Sequence, residues 1–207
     1  MAFQASLFGV GVAPAPRPIG AGATRAALAD GAWFELHRGW YAGGDELFGR
    51  LVEAVPWRAE RRPMYERVVE VPRLLYFYDD GDPLPVPELG RAREALDAHF
   101  GPELGEPLCT VGLCLYRDGR DSVAWHGDRI GRGGRSDTIV AILSLGAPRT
   151  LALRPRGGGR SIRFELGGGD LFVMGGSCQR TWEHAVPKTA RQVGPRLSVQ
   201  FRTRGVR

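Results

Sequence analysis

From Thr110 onward the chain breaks into short runs of strand-forming residues at 110–116, 122–127, 138–145, 149–154, 161–166, 170–174, 183–186 and 196–204. Loops rich in Gly, Arg and Pro separate them. Upstream, 32–38 reads as a first strand, and 66–78 alternates enough for one or two more. Asp45 is placed to cap a helix running to about Val55, with Leu47, Phe48, Leu51 and Val52 as its apolar face and Pro56-Trp57 ending it. The Asp79-Asp80-Gly81-Asp82-Pro83 run is a turn. A second helix is expected from about Pro87 to Phe100, burying Leu89, Ala92, Leu96 and Phe100 and stopped by Gly101-Pro102. Eight short strands after two helices predict a mostly β chain with supporting helices, built on a double-stranded β-helix (jelly-roll) core. Residues 1–30 are Ala/Gly/Pro-rich, with Pro14, Pro16 and Pro18. They are expected to form a loosely ordered N-terminal arm, leaving 31–207 as a single domain. The 207-residue length suits one domain of that size.

Within the strand-rich half stand His126-Gly127-Asp128 and, far along the chain, His184. Two imidazoles and a carboxylate are the facial ligand set of non-heme Fe(II) oxygenases, which leaves positions on the ion open. Residues i and i+2 of a strand share a face, so His126 and Asp128 can grip one ion, and His184 must arrive on a strand lying alongside. His37 and His99 sit in ordinary amphipathic surroundings. The same ligands also fit a zinc hydrolase, although no general base is evident beside them.

Residues 195–202 alternate strictly. Arg196, Ser198, Gln200 and Arg202 share one face, and Leu197, Val199 and Phe201 the other. Either the polar face is solvated, or it lines the interior of a small barrel or jelly roll. In the second case two arginine forks on one strand suit a short dicarboxylate.

Together these motifs resemble the AlkB family of Fe(II)/2-oxoglutarate dioxygenases, which oxidatively dealkylate nucleic-acid bases. Leu115-Tyr116-Arg117-Asp118-Gly119 is similar to the family's N-x-Y-x-x-G segment. Ser144-Leu145-Gly146-Ala147-Pro148-Arg149 is similar to its S-x-G-x-x-R strand. Gly169-Asp170-Leu171-Phe172-Val173-Met174 and His184-Ala185-Val186-Pro187 resemble the segments around the distal His. Val71-Pro72-Arg73 with Tyr78 resembles a stretch that handles nucleic acid in the repair members. The likeness covers about residues 65–204.

The resemblance implies Fe(II) held by His126, Asp128 and His184, and 2-oxoglutarate met by Tyr116, Arg196 and Arg202 with Cys114 and Ser198 beside them. O2 would complete the reaction, and no catalytic residue beyond the metal site is expected. The activity implied is oxidative demethylation of alkylated bases in DNA, with RNA, a protein side chain or a small molecule as the alternative substrate. The chain departs from the family in three places: Cys114 stands where Asn is common, Ile130 where repair members carry an acid, and Ser198 where Asn is frequent.

Candidate substrate contacts are Arg73, Arg129 and Ile130, with Tyr76 or Tyr78 either a stacking platform for a flipped base or, as aromatics on strands more often are, part of the core. Trp125 and Trp182 flank the ligands and are read as packing that keeps water out. Arg/Gly-rich loops at 129–135 and 154–163 suit phosphate contacts or are solvated turns. A net charge of +5 suits a polyanionic partner. Three cysteines without a C-x-x-C fit a reducing, cytoplasmic compartment. No apolar run approaches ~18 residues, so no membrane span is expected. A monomer is expected.

Overall fold

The computed structural model describes residues 13–20, 25–64 and 67–206. The chain opens with β1 (Ala15–Pro16), β2 (Arg25–Ala27), β3 (Ala32–His37) and β4 (Tyr41–Ala42). Next come α1 (Gly44–Ala54), β5 (Arg58–Met64), β6 (Arg67–Tyr78) and α2 (Pro87–Leu104). Then follow β7 (Leu108–Tyr116), β8 (Val123–His126), β9 (Val140–Gly146), β10 (Arg149–Pro155), β11 (Ile162–Leu166) and β12 (Asp170–Gly176). A short α3 (Cys178–Thr181), β13 (Trp182–Val186) and β14 (Arg196–Thr203) complete it. All eight strands expected after Thr110 form.

They pair antiparallel into two facing sheets. The major sheet runs β2-β3-β12-β9-β14-β7-β6-β5, and the minor sheet runs β11-β10-β13-β8. The fold is the expected jelly roll, widened on both flanks of its major sheet. Between the sheets lie Tyr116, Val140, Ile142, Phe172 and Met174 against Leu151, Leu153, Leu166, Trp182 and Val186. On its other face the major sheet presents Leu113, Leu143, Val173, Val199 and Phe201 to α1 and α2. Buried on both faces, its central strands are nearly all apolar, and the polar residues of β14 are confined to the inter-sheet side.

Two expectations are corrected. Asp45 does not cap α1; Gly43 does, in a left-handed conformation, and Asp45 sits in the first turn, where its charge favours the helix dipole. The second helix does not stop at Gly101-Pro102 but runs on to Leu104 and ends at left-handed Gly105. Proline so near the C-terminus forfeits one backbone bond. Against that loss, Glu103 takes two hydrogen bonds from Arg25, and Leu104 packs on the core.

Finally, the described parts of the N-terminal segment are joined to the rest. β1 pairs with β4, and β2 forms the edge of the major sheet beside β3. Residues 1–12 and 21–24 of the expected arm lie outside the described residues.

The arm is anchored at Trp33. Its indole lies beneath the Arg25 guanidinium, 3.6 Å from the ring centre, and directly over Gly175, its cross-strand partner. A Cβ on Gly175 would stand 2.0 Å from the indole. Gly175→Ala is therefore expected to destabilise the fold by about 1–3 kcal/mol, lowering the urea midpoint with little change in slope. An unchanged midpoint would show that Trp33 yields freely.

Candidate metal centre

β8 and β13 are antiparallel neighbours, and His126 and His184 are direct cross-strand partners. Their rings stand 4.2 Å apart between centres. β8 ends at His126, so strand alternation does not deliver Asp128 as expected. Gly127 does. A Cβ there would lie 2.4 Å from the Gln179 carbonyl, so only glycine lets the chain turn so close to α3. Asp128 is then fixed twice: its N–H donates to Gln179 Oε1 at 2.8 Å, and its Oδ2 accepts from Arg202 Nε at 2.7 Å.

The ligand atoms of His126, Asp128 and His184 lie within 4.8 Å of one another. That grouping of two imidazoles and a carboxylate could hold one metal ion. A carbonyl can only accept, so His126 Nδ1 must carry the proton it shares with the Ala124 oxygen at 2.9 Å. That leaves Nε2 basic and facing Asp128.

The electrostatics suit a cation. Burial alone would raise the Asp128 pKa, but Arg202 and the two imidazoles outweigh it and hold the carboxyl well below its usual range. Burial, reinforced by His126, pulls His184 down to about 3. Both groups are thus in their metal-binding protonation states near neutrality.

The polar face of β14 continues from this cluster, and the inward reading of that strand holds. Arg196 is almost wholly buried. Its Nε donates to Ser144 Oγ at 3.0 Å, while its Nη1 has no hydrogen-bond partner among the described residues. A buried guanidinium N–H left open is costly, and a carboxylate is the acceptor that matches its fork. The donor set therefore fits 2-oxoglutarate beside Fe(II). Tyr116 stands against Arg196, its ring centre 5.3 Å from the guanidinium carbon. Arg202, expected at the cosubstrate, is engaged by Asp128. Ser198 and Cys114 face each other across β14 and β7.

Among the substrate candidates, strand register divides them. Tyr76 and Tyr78 pair with Leu113 and Val111 and pack in the helix-covered core, on the face away from the metal cluster. Neither is placed to stack on a base there. Leu75 and Phe77, which pair with Cys114 and Gly112, are on the site's side. Arg73 donates to the Ser122 carbonyl at 3.1 Å. Arg129 and Ile130 are exposed just past Asp128, Ile130 at 72 %. Arg132 in the same loop is committed to Glu106 by two hydrogen bonds. Sequence reasoning missed Gln179 and Gly112, and gave Ser144 and Phe77 no role of their own. The parity of β6 against β7 is the signal that finds Phe77.

Two antiparallel sheets with a His–Asp–His cluster on the inner side of the smaller one form a jelly roll with a candidate metal centre. Residues 44–202 match the 2OG-Fe(II) oxygenase superfamily, and the chain belongs to it. The human alpha-ketoglutarate-dependent dioxygenase alkB homolog 3 is 30 % identical over 179 residues, covering 77 % of this chain and 61 % of that protein. An Arabidopsis thaliana protein named DNA oxidative demethylase ALKBH2 is 29 % identical over 61 % of this chain and 45 % of its own length. The chain thus spans about three-fifths or less of these relatives.

In fold it is similar to OsALKBH1, with a TM-score of 0.58 and 14 % identity over 87 % of this chain and 100 % of that one. It is equally similar to a prolyl hydroxylase from Trichoplax adhaerens, with a TM-score of 0.59 and 12 % identity over 82 % of this chain and 83 % of that one. The AlkB-like character read from the motifs is supported by the relatives' names.

An imidazole held below its unfolded value takes up its proton in the unfolded chain first. Stability of the metal-free protein should be level above about pH 6.5 and decline as pH falls from there towards 3. Urea midpoints across that range check this. The decline should flatten in His184→Gln, and a wild-type curve without it would contradict the burial of a neutral His184.

Proposed function

We propose that this protein is an Fe(II)/2-oxoglutarate-dependent dioxygenase that removes N-linked alkyl groups from nucleic-acid bases. The observation that carries the reading is the pairing of the His–Asp–His cluster with Arg196, whose buried Nη1 is open to a carboxylate. The relatives named as AlkB homologues support the nucleic-acid substrate, as does the positive net charge.

When bound, Fe(II), 2-oxoglutarate and O2 supply oxidative decarboxylation to succinate and CO2, coupled to hydroxylation of a substrate C–H bond. A hydroxylated N-alkyl carbon then leaves as an aldehyde and restores the base.

The chain's own part is to bind and aim. His126, Asp128 and His184 would hold the ion. Arg202 keeps Asp128 ionised and oriented. Arg196 would anchor a carboxylate of the cosubstrate, with Tyr116 and Ser144 fixing the guanidinium. Trp182, Met174 and Phe172 keep the inter-sheet side dry. His126, the most exposed ligand, marks the side from which substrate approaches.

The test is anaerobic loading with Fe(II) and 2-oxoglutarate, then O2 and an oligonucleotide carrying one N1-methyladenine, read by mass. Loss of the methyl group dependent on 2-oxoglutarate is expected. Succinate release with the base unchanged would move the substrate to RNA, a protein side chain or a small molecule. His126→Ala should abolish turnover. Arg196→Gln should raise KM for 2-oxoglutarate by about 10- to 100-fold, as expected for loss of one charge-assisted hydrogen bond. An unaltered KM would remove Arg196 from the cosubstrate site.

A further inference from the structure

The strands that carry the two histidines also build a second concavity, on the outer face of the minor sheet. Between the pairs His126–His184 and Val123–Val186, β8 has two residues, Ala124 and Trp125, where β13 has only Ala185. Such a bulge bends the strand and re-aims its side chains. Next to inward-facing His126, Trp125 faces outward by strand alternation, and the extra residue brings Val123 back to the inner face opposite Val186. The expectation that Trp125 packs inside like Trp182 is therefore corrected: Trp182 is in the inter-sheet core, whereas Trp125 lies against Arg154, whose guanidinium carbon is 4.2 Å from its ring centre.

In front of the bulge is a groove of about 300 Å³. Arg163, Ala152 and Ala185 form one row across β11, β10 and β13, and the row ends at the bulge. Small side chains make the floor, Trp125 stands at one side, and Arg163 and Lys188 rise from the rims. Both cations are exposed, and neither has a carboxylate within ion-pairing distance among the described residues. The nearby carboxylates do not line the groove; Glu183 is paired with Arg154, and Glu165 accepts from the Thr150 hydroxyl.

We infer that this groove holds single-stranded nucleotides flanking the one presented to the metal centre. The inference rests on the substrate class proposed above. Three observations favour it. β8 is the edge strand of the minor sheet, so a strand of substrate can pass around it from the His126 side to the outer face. The two unpaired cations match phosphates, which supply affinity without sequence information. An outward indole beside an alanine floor accepts a base that is not already stacked in a duplex.

The test uses the full chain loaded anaerobically with Fe(II) and 2-oxoglutarate, with fluorescence anisotropy of a labelled oligothymidine of about 12 nucleotides and of a trinucleotide. The double variant Arg163→Gln/Lys188→Gln should weaken binding of the longer probe by about tenfold or more and make its salt dependence shallower by about 1.4 in logarithmic slope. Trinucleotide binding and succinate production should be unchanged. Trp125→Leu should weaken the longer probe by about tenfold with the salt slope intact.

Equal affinity of wild type and double variant for the longer probe would overturn the inference. So would equally effective competition by polyglutamate, which would point to an acidic polypeptide instead. If the groove variants behave as expected but no alkylated base is repaired, the dealkylation reading fails and the groove stands. If the trinucleotide is repaired and the longer probe ignores the groove, the reverse holds.

Discussion

The ion pair between Arg202 and Asp128 ties this structure together. Asp128 follows a strand of the minor sheet, and Arg202 comes from the middle of the major one, so their 2.7 Å contact bridges the two layers. A carboxylate buried to this degree costs several kcal/mol unless its charge is met. Here it is met by a guanidinium on one oxygen and by imidazoles around the other. The arrangement requires Gly112 opposite Gln200, because a Cβ there would stand 2.6 Å from Arg202 Nη1. It also requires Gly127, which lets Asp128 turn under Gln179. Metal affinity and the packing of the jelly roll thus depend on the same few atoms.

The β8 bulge has a comparable reach. A regular strand would pair every residue of β8 with one of β13. The extra residue lets Val123 share the inner face with His126, while Trp125 faces outward by alternation. One local irregularity thereby keeps the inner face apolar beside the histidines. Arg149 braces the surroundings. It is buried, and it donates to the carbonyls of Asp118, Asp121 and Pro187, fastening the loop before β8 to the end of β13.

What was legible in the sequence follows from the range of the interactions involved. Strand alternation and turn residues are local, so the eight jelly-roll strands and the polar face of β14 could be read directly. The His–Asp–His set was legible because few chemistries need those three residue types together. Tyr76 and Tyr78 were misread because facing depends on pairing parity between β6 and β7, which no single strand encodes. The continuation of α2 through Pro102 was hidden for a related reason: the contact that favours it, Arg25 with Glu103, joins distant segments. The return of Val123 to the inner face depends on a bulge, a property of a strand pair and of no residue in it, whereas the outward facing of Trp125 follows from its place beside His126.

The departures from the AlkB pattern make physical sense when taken together. On the polar face of β14, Gln200 donates to Ser198 Oγ at 2.5 Å and to the Ser198 carbonyl at 3.1 Å. Its own oxygen faces the Cys114 thiol, 3.9 Å away. Cys114 and Ser198 are smaller than the asparagines common at those places, and Gln200 reaches across the room they leave. These neutral groups satisfy one another, so they offer little to an incoming ligand. Of the residues on that face, Arg196 is the one with a buried donor still open. On the proposed reading, recognition of the cosubstrate would be concentrated in a single fixed charge, held by Ser144 and Tyr116 from the neighbouring strands. Such a site discriminates by carboxylate position more than by a network of amide contacts, because only a ligand whose anionic end reaches Arg196 relieves its unsatisfied N–H.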